Sequence, residues 1–205
     1  RATLNLLQWI QYQLDTASTV DAVLASDAIV RIAEGPALAH IFLSDREGRA
    51  AVIEWHEGKR TVYQGSALPV PALANDRYGD CVVAWQERAL SKDAKSALPS
   101  YDRFAAVSTG ARVYETLAHP AEHGFTILDR AKNQHLTVWQ IVYDSAGRAL
   151  TLKRKADAMP VIVNFRDLTF APDAPALAFD LTRVGELKWA ACTPQMNREL
   201  VIKNC

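Results

Sequence analysis

The stretch HIFLSDREGRAAVIEWHEGKRTVYQG constrains the fold of this chain more than any other. Three short apolar runs are separated by DREG and HEGK, each a polar turn sequence carrying a glycine, Gly48 or Gly58. Runs of strand length joined by tight turns satisfy their backbone amides against one another, as an antiparallel β-meander. The expected strands are 38–44, 50–56 and 60–64. SALPVPALAN follows, and its apolar run predicts a fourth strand near 69–74 that ends on Asn75. Asn75, Asp76 and Gly79 then mark a turn. A strand that ends on an asparagine raises the question of what the carboxamide faces.

Helical spacing flanks the meander on both sides. LNLLQWIQYQLDTASTVDAVLASDAIVRIA reads as two helices. Leu4, Leu6, Leu7, Ile10 and Leu14 supply the first apolar face, 15–19 the break, and Ser18 or Thr19 the N-cap of a second helix starting near Val20. Residues 79–97 read as a helix with Val82, Val83, Trp85 and Leu90 apolar. The next helix starts at Pro99 and Ser100 and keeps Phe104, Val107, Ala111, Tyr114 and Leu117 in helical spacing, until HPAEHG breaks it. A short helix is expected at 124–133. LTVWQIVYD and RALTLKRKA, joined by DSAG, form a second hairpin; PVIVNFRDLTF adds a strand with Leu168 and Phe170 packed beside it. Beyond Pro172 the sequence looks irregular. Antiparallel hairpins between helices predict an α+β layered architecture and not a parallel βαβ fold. The 205 residues are read as a single domain, with 171–205 as its C-terminal tail.

Charge and motif content exclude several function classes. With 23 basic and 23 acidic residues and no basic run, the chain lacks the electrostatic footprint of a nucleic-acid binder. No apolar stretch approaches the length that spans a bilayer, so no membrane partner is expected. There is no glycine-rich phosphate loop, dinucleotide fingerprint or nucleophile-elbow serine, and no cofactor is expected. His119 and His123 have the i, i+4 spacing of a ligand pair, but Pro120 lies between them and no third ligand is evident, so no metal site is expected. His40, His56 and His135 read as packed or solvated side chains, and Asp157, Asp167, Asp173 and Asp180 as turn residues. Cys81, Cys192 and Cys205 form no C-x-x-C motif. Cys192 and Cys205 either close a tail disulfide, which requires an oxidising compartment, or are two reduced thiols.

Two residues stand out from this background. Asn75 ends the predicted strand; the simpler explanation is an Asx-turn, with its side chain bonded to nearby backbone. Arg103 of SYDRF falls in the first turn of a helix, where a cation opposes the macrodipole. Its simpler explanation is a solvated side chain or a pair with Asp102.

LNLLQWIQYQLDTASTVDAV, HIFLSDREGRAAVIEW, PALANDRYGD, SYDRF and LTVWQIVYDSAGRALTLK occur in this order over most of residues 3–170. Together they resemble the choloylglycine hydrolase family of linear-amide C–N hydrolases, which includes penicillin V acylases and bile salt hydrolases. The resemblance implies an N-terminal-nucleophile (Ntn) hydrolase fold, a four-layer αββα sandwich of antiparallel sheets and helices. In that family the asparagine matched by Asn75 helps to hold the tetrahedral intermediate, and the arginine matched by Arg103 lies near the nucleophilic thiol. Both are therefore expected to be catalytic. Family members often carry proline two residues after the asparagine; Arg77 stands there in this chain, which alters the local loop.

The resemblance also implies what these residues lack. The family's nucleophile is a cysteine at the mature N-terminus whose α-amine acts as base, followed shortly by an arginine and an aspartate. The first residue here is Arg1. The chain is accordingly expected to be the C-terminal part of a family member, incomplete as a sandwich and inactive alone. The intact parent would cleave penicillin V, a conjugated bile acid or an N-acyl homoserine lactone without metal or organic cofactor. The expected partners of the 205-residue chain are a small-molecule amide, the N-terminal piece of the same protein and a second copy of itself. Frequent export in the family and the tail cysteines point to a periplasmic or secreted location. The alternative is a truncated, non-catalytic homologue acting as a binding or structural module.

Overall fold

A computed structural model describes residues 1–33, 39–90, 100–111, 120–133, 135–155, 159–180 and 188–204. The chain divides into two compact units, Arg1–Lys132 and Asn133–Cys205.

The first unit is built around the meander. Strands β3 (Ala39–Ser44), β4 (Ala50–His56) and β5 (Lys59–Gln64) pair antiparallel in that order, with Ser44 opposite Ala50 and His56 opposite Lys59. The second turn is a two-residue loop, Glu57 and Gly58, with φ of 51° and 71°. Left-handed conformations at both positions match the twist of a tight hairpin. In the first turn, Asp45 accepts hydrogen bonds from the Glu47 and Arg49 amides and from the Arg49 guanidinium, and reaches across to the Val20 amide at 3.1 Å. Burial alone would raise the Asp45 carboxyl, but the Val20, Arg49 and Glu47 donors together hold it below its ordinary value.

Strand β4 is covered on both faces, which explains its continuous apolar run. Ile53 packs with Trp9, Val23 and Val30. Val52 packs with Val70, Ala72, Tyr78, Cys81, Val82 and Phe104. The first cluster is closed by an edge-to-face contact of Trp9 and Trp55, with centroids 5.6 Å apart.

The N-terminal segment holds the two expected helices, α1 (Leu6–Thr16) and α2 (Val20–Ala25), together with a strand pair that helical spacing concealed. Asn5 accepts from the Gln8 amide at 2.9 Å while Gln8 accepts from the Asn5 amide at 3.1 Å. This reciprocal cap starts α1 at Leu6 and leaves β1 (Ala2–Leu4) extended. Thr19 caps α2 through the Ala22 amide. After a 3₁₀ turn at Ser26–Ala28, β2 (Val30–Ile32) pairs in parallel with β1. The β-branched Val30 and Ile32 favour this extended state over a continued helix.

The expected fourth strand is absent. Pro69 and Pro71 carry no amide hydrogen and cannot sustain a ladder. Residues 71–74 are instead an irregular chain whose Ala72 is buried, as is Val70 just before it. The Tyr78 hydroxyl substitutes for the missing neighbour: it accepts from the Val70 amide at 3.3 Å and donates to the Val70 carbonyl at 2.9 Å.

Helices α3 (Tyr78–Leu90), α4 (Tyr101–Ala111) and α5 (Pro120–Ala131) complete the unit. The expected continuation of α3 to residue 97, with Pro99, Tyr114, Leu117 and His119, lies outside the described residues. Whether HPAEHG ends the preceding helix lies outside the described residues; its described part is the first turn of α5. Pro120 opens it, where the missing amide hydrogen has no partner to lose, and His123 Nε2 lies 3.1 Å from the Gly110 carbonyl. Gly110 lets α4 approach α5 closely: a Cβ there would run into Ile127 Cγ1 and lie 2.7 Å from its Cδ1, so the Ile127 side chain would have to shift.

In the second unit, β6 (Trp139–Asp144), β7 (Ala149–Arg154) and β8 (Val161–Asn164) form an antiparallel sheet in sequence order. Asp144 closes the DSAG turn by accepting from the Gly147 amide at 2.7 Å. Leu152 and Val163 are buried, whereas Phe170, expected to pack beside the sheet, is exposed. The segment expected to be irregular holds β9 (Leu177–Ala178) paired antiparallel with β10 (Ala190–Ala191), an edge-to-face Phe179–Trp189 contact, and α6 (Pro194–Asn204). Cys192 is exposed; a disulfide to Cys205 concerns a residue outside those described.

Candidate active site

The two residues singled out by sequence are joined by a polar latch that no local pattern announces. Asp76 follows Asn75, and Ser100 is the N-cap of α4: its carbonyl accepts from the Phe104 amide at 3.1 Å. The Asp76 amide donates to Ser100 Oγ at 2.8 Å, and the Ser100 amide donates to Asp76 Oδ2 at 2.8 Å. Ser100 Oγ also donates to Asp76 Oδ2. The turn bearing Asn75 is thus bonded directly to the start of α4, one helical turn before Arg103. The Asp76 carboxylate sits at the helix N-terminus, where it complements the dipole and offsets the unfavourable placement of the Arg103 cation.

Neither the Asx-turn at Asn75 nor the Arg103–Asp102 pair forms among the described residues. Asn75 is exposed, and among the described residues its carboxamide makes no Asx-turn bond; Asp76 holds the turn instead. Arg103 is half-buried. Asp102 lies 3.4 Å from Arg88, and Arg88 stacks over the Tyr101 ring at 5.5 Å, so the nearest carboxylate in sequence is engaged elsewhere.

A second polar cluster supports the turn from beneath. Glu54 is buried in the middle of β4 and accepts from the Tyr78 amide at 2.7 Å. His40 Nδ1 lies 3.5 Å from the same oxygen. Burial, and then the charge and hydrogen bond of Glu54, push the Tyr63 hydroxyl above its ordinary value. Burial likewise raises Tyr78, against the lowering effect of its bond to Val70. Glu54 therefore anchors the first residue of α3, while the Tyr78 side chain holds the segment that leads into Asn75.

Cys81 is fully buried beside this cluster. Burial, then the carboxylates of Asp76, Asp80 and Glu54, push its thiol up to about 11. It is a core residue and not a nucleophile, because the reactive species is the thiolate. The native protein at pH 8 is expected to alkylate with iodoacetamide at Cys192 and to leave Cys81 intact, since a thiol three units below its pKa is ionised to roughly one part in 10³. Peptide mapping reads the difference, and unfolding in denaturant abolishes it. Equal labelling of both cysteines in the native protein would contradict the burial of Cys81.

Similar solved structures bear on the architecture. Penicillin V acylase from Agrobacterium tumefaciens superposes with a TM-score of 0.67 at 18% identity, covering 84% of this chain and 59% of the other. The chain has the Ntn-hydrolase-like fold of these enzymes. Two variants of conjugated bile acid hydrolase from Clostridium perfringens give a TM-score of 0.64 at 12% identity, covering 94% of this chain and 68% of theirs. The chain thus spans 59% of the penicillin V acylase and 68% of the bile acid hydrolases. No protein-family model matches the sequence, and no curated protein matches it.

Sequence reasoning selected Asn75 and Arg103 but missed Asp76, Ser100, Glu54 and Tyr78. Glu54 had a visible signal, an acidic residue inside the apolar run AVIEW with no turn beside it. Asp76 and Ser100 had none, because their meaning lies in each other.

Proposed function

We propose that this chain is the C-terminal part of a hydrolase of the choloylglycine hydrolase type that cleaves linear amides to a carboxylic acid and an amine. The nucleophile is a cysteine outside these 205 residues. Its thiol gives its proton to the cysteine's own α-amine and the thiolate attacks the amide carbonyl; the tetrahedral intermediate collapses to a thioester as that proton passes to the departing amine, and water then frees the acid and restores the thiol. Asn75 donates its side-chain N–H to the oxyanion that develops on the carbonyl oxygen. Arg103 favours the thiolate, as a nearby cation lowers a thiol pKa. The observation that carries this reading is the direct bonding of the Asn75 turn to the first turn of α4, on a fold shared with amide hydrolases.

The experiment is an assay of the full-length protein and of residues 1–205 in parallel against penicillin V, a conjugated bile acid and an N-acyl homoserine lactone. Released amine and acid are quantified by mass spectrometry. The full-length protein is expected to turn over at least one of the three, and residues 1–205 none. A full-length protein that binds such amides without cleaving them supports a non-catalytic homologue instead.

A further inference from the structure

We infer that the Asp76–Ser100 latch is a positioning device for catalysis, setting Asn75 and Arg103 in register with each other; this rests on the amidase reading above. Asn75 and Arg103 are carried by separate elements, an irregular turn and a helix. Oxyanion donors and thiolate-stabilising cations act only when held within a fraction of an ångström of their working positions.

The turn has no ladder of its own, because Pro69 and Pro71 precede it and residues 71–74 are irregular. Its fixed points are the Tyr78 anchor on one side and the latch on the other. The latch is reciprocal: each backbone amide is satisfied by the other residue's side chain, and the hydroxyl closes on the carboxylate. Ser100 is also the cap from which α4 starts, so any shift of the turn is transmitted to the first turn of the helix, where Arg103 sits. A cap serving only helix stability would need one side-chain acceptor for a nearby helix amide. Here the cap residue's own amide and hydroxyl are spent on the Asn75 turn.

Ser100→Ala in the full-length enzyme removes the hydroxyl that both accepts from the Asp76 amide and donates to its carboxylate. The expected result is a fall in kcat of about 10²-fold with KM within roughly twofold. The acidic limb of the kcat/KM profile moves to higher pH, because a displaced Arg103 stabilises the thiolate less. Ser100→Thr keeps the hydroxyl and restores kcat and the limb. Asp76→Ala removes the carboxylate that accepts from the Ser100 amide and hydroxyl, attacks the same latch from the turn and gives the same kcat–KM split; it also decides the matter if Ser100→Ala does not fold. Variants that melt earlier but keep wild-type kcat, KM and pH profile overturn the inference and leave the amidase reading standing. A wild-type protein inactive on all three amides overturns that reading and the inference with it.

Discussion

Asn75→Ala in the full-length protein is expected to lower kcat for amide cleavage by roughly 10²- to 10³-fold, with little change in KM. Asn75 is exposed and bonded to no described residue, so the substitution removes nothing that the fold uses. Surface changes of that kind shift stability by no more than about 0.5 kcal/mol. The loss therefore appears in turnover and not in melting. An N–H aimed at developing negative charge acts in the transition state more than in the ground state, so kcat falls while KM holds. Asn75→Asp is the sharper variant: it keeps the shape but replaces the donor by a charged acceptor, which repels the oxyanion. Its activity is expected at or below that of the alanine variant. Steady-state kinetics with a chromogenic amide measure both, and activity within about twofold of wild type for either excludes the oxyanion role.

The largest expected effect on stability is at Glu54. Glu54→Leu is expected to lower unfolding free energy by about 3 kcal/mol, because it leaves the buried Tyr78 amide without its acceptor. Glu54→Gln retains an oxygen to accept from Tyr78 and is expected to lose only about 1 kcal/mol. Urea unfolding of the full-length protein distinguishes them by midpoint, with the slope unchanged if the same surface is exposed. The reverse order, leucine milder than glutamine, would mean that β4 tolerates an apolar residue there and that the carboxylate is not the anchor of α3.

The sequence and the structure agree best where periodicity and turn chemistry act locally. The meander was legible to within a residue or two because Gly48 and Gly58 punctuate it and β4 is buried on both faces. The second hairpin was legible for the same reason, with Asp144 and Gly147 forming its turn. The failures have physical causes. Residues 69–74 are apolar enough for a strand, but two prolines remove the amides a strand needs. Strands β1 and β2 are three residues each and pair across the whole α1–α2 hairpin, so no window of sequence contains the pattern. Helix α6 had a signal that went unread: Thr193 accepts from the Met196 amide and Pro194 opens the helix. At the site, Asn75 and Arg103 were reached through the order of five motifs, not through their spacing. The Asp76–Ser100 latch joins residues twenty-four positions apart, and only the fold brings them together.

The account stands on a cysteine supplied from outside these residues, and rapid-quench acyl trapping tests it most directly. The full-length protein is mixed with the amide it turns over, quenched in acid within the first turnovers, digested and mapped by mass spectrometry. The predicted result is an acyl group held as a thioester on a cysteine at the mature N-terminus, preceding Arg1 in the chain. An acyl group on Cys81, Cys192 or any other residue within 1–205 would contradict the account.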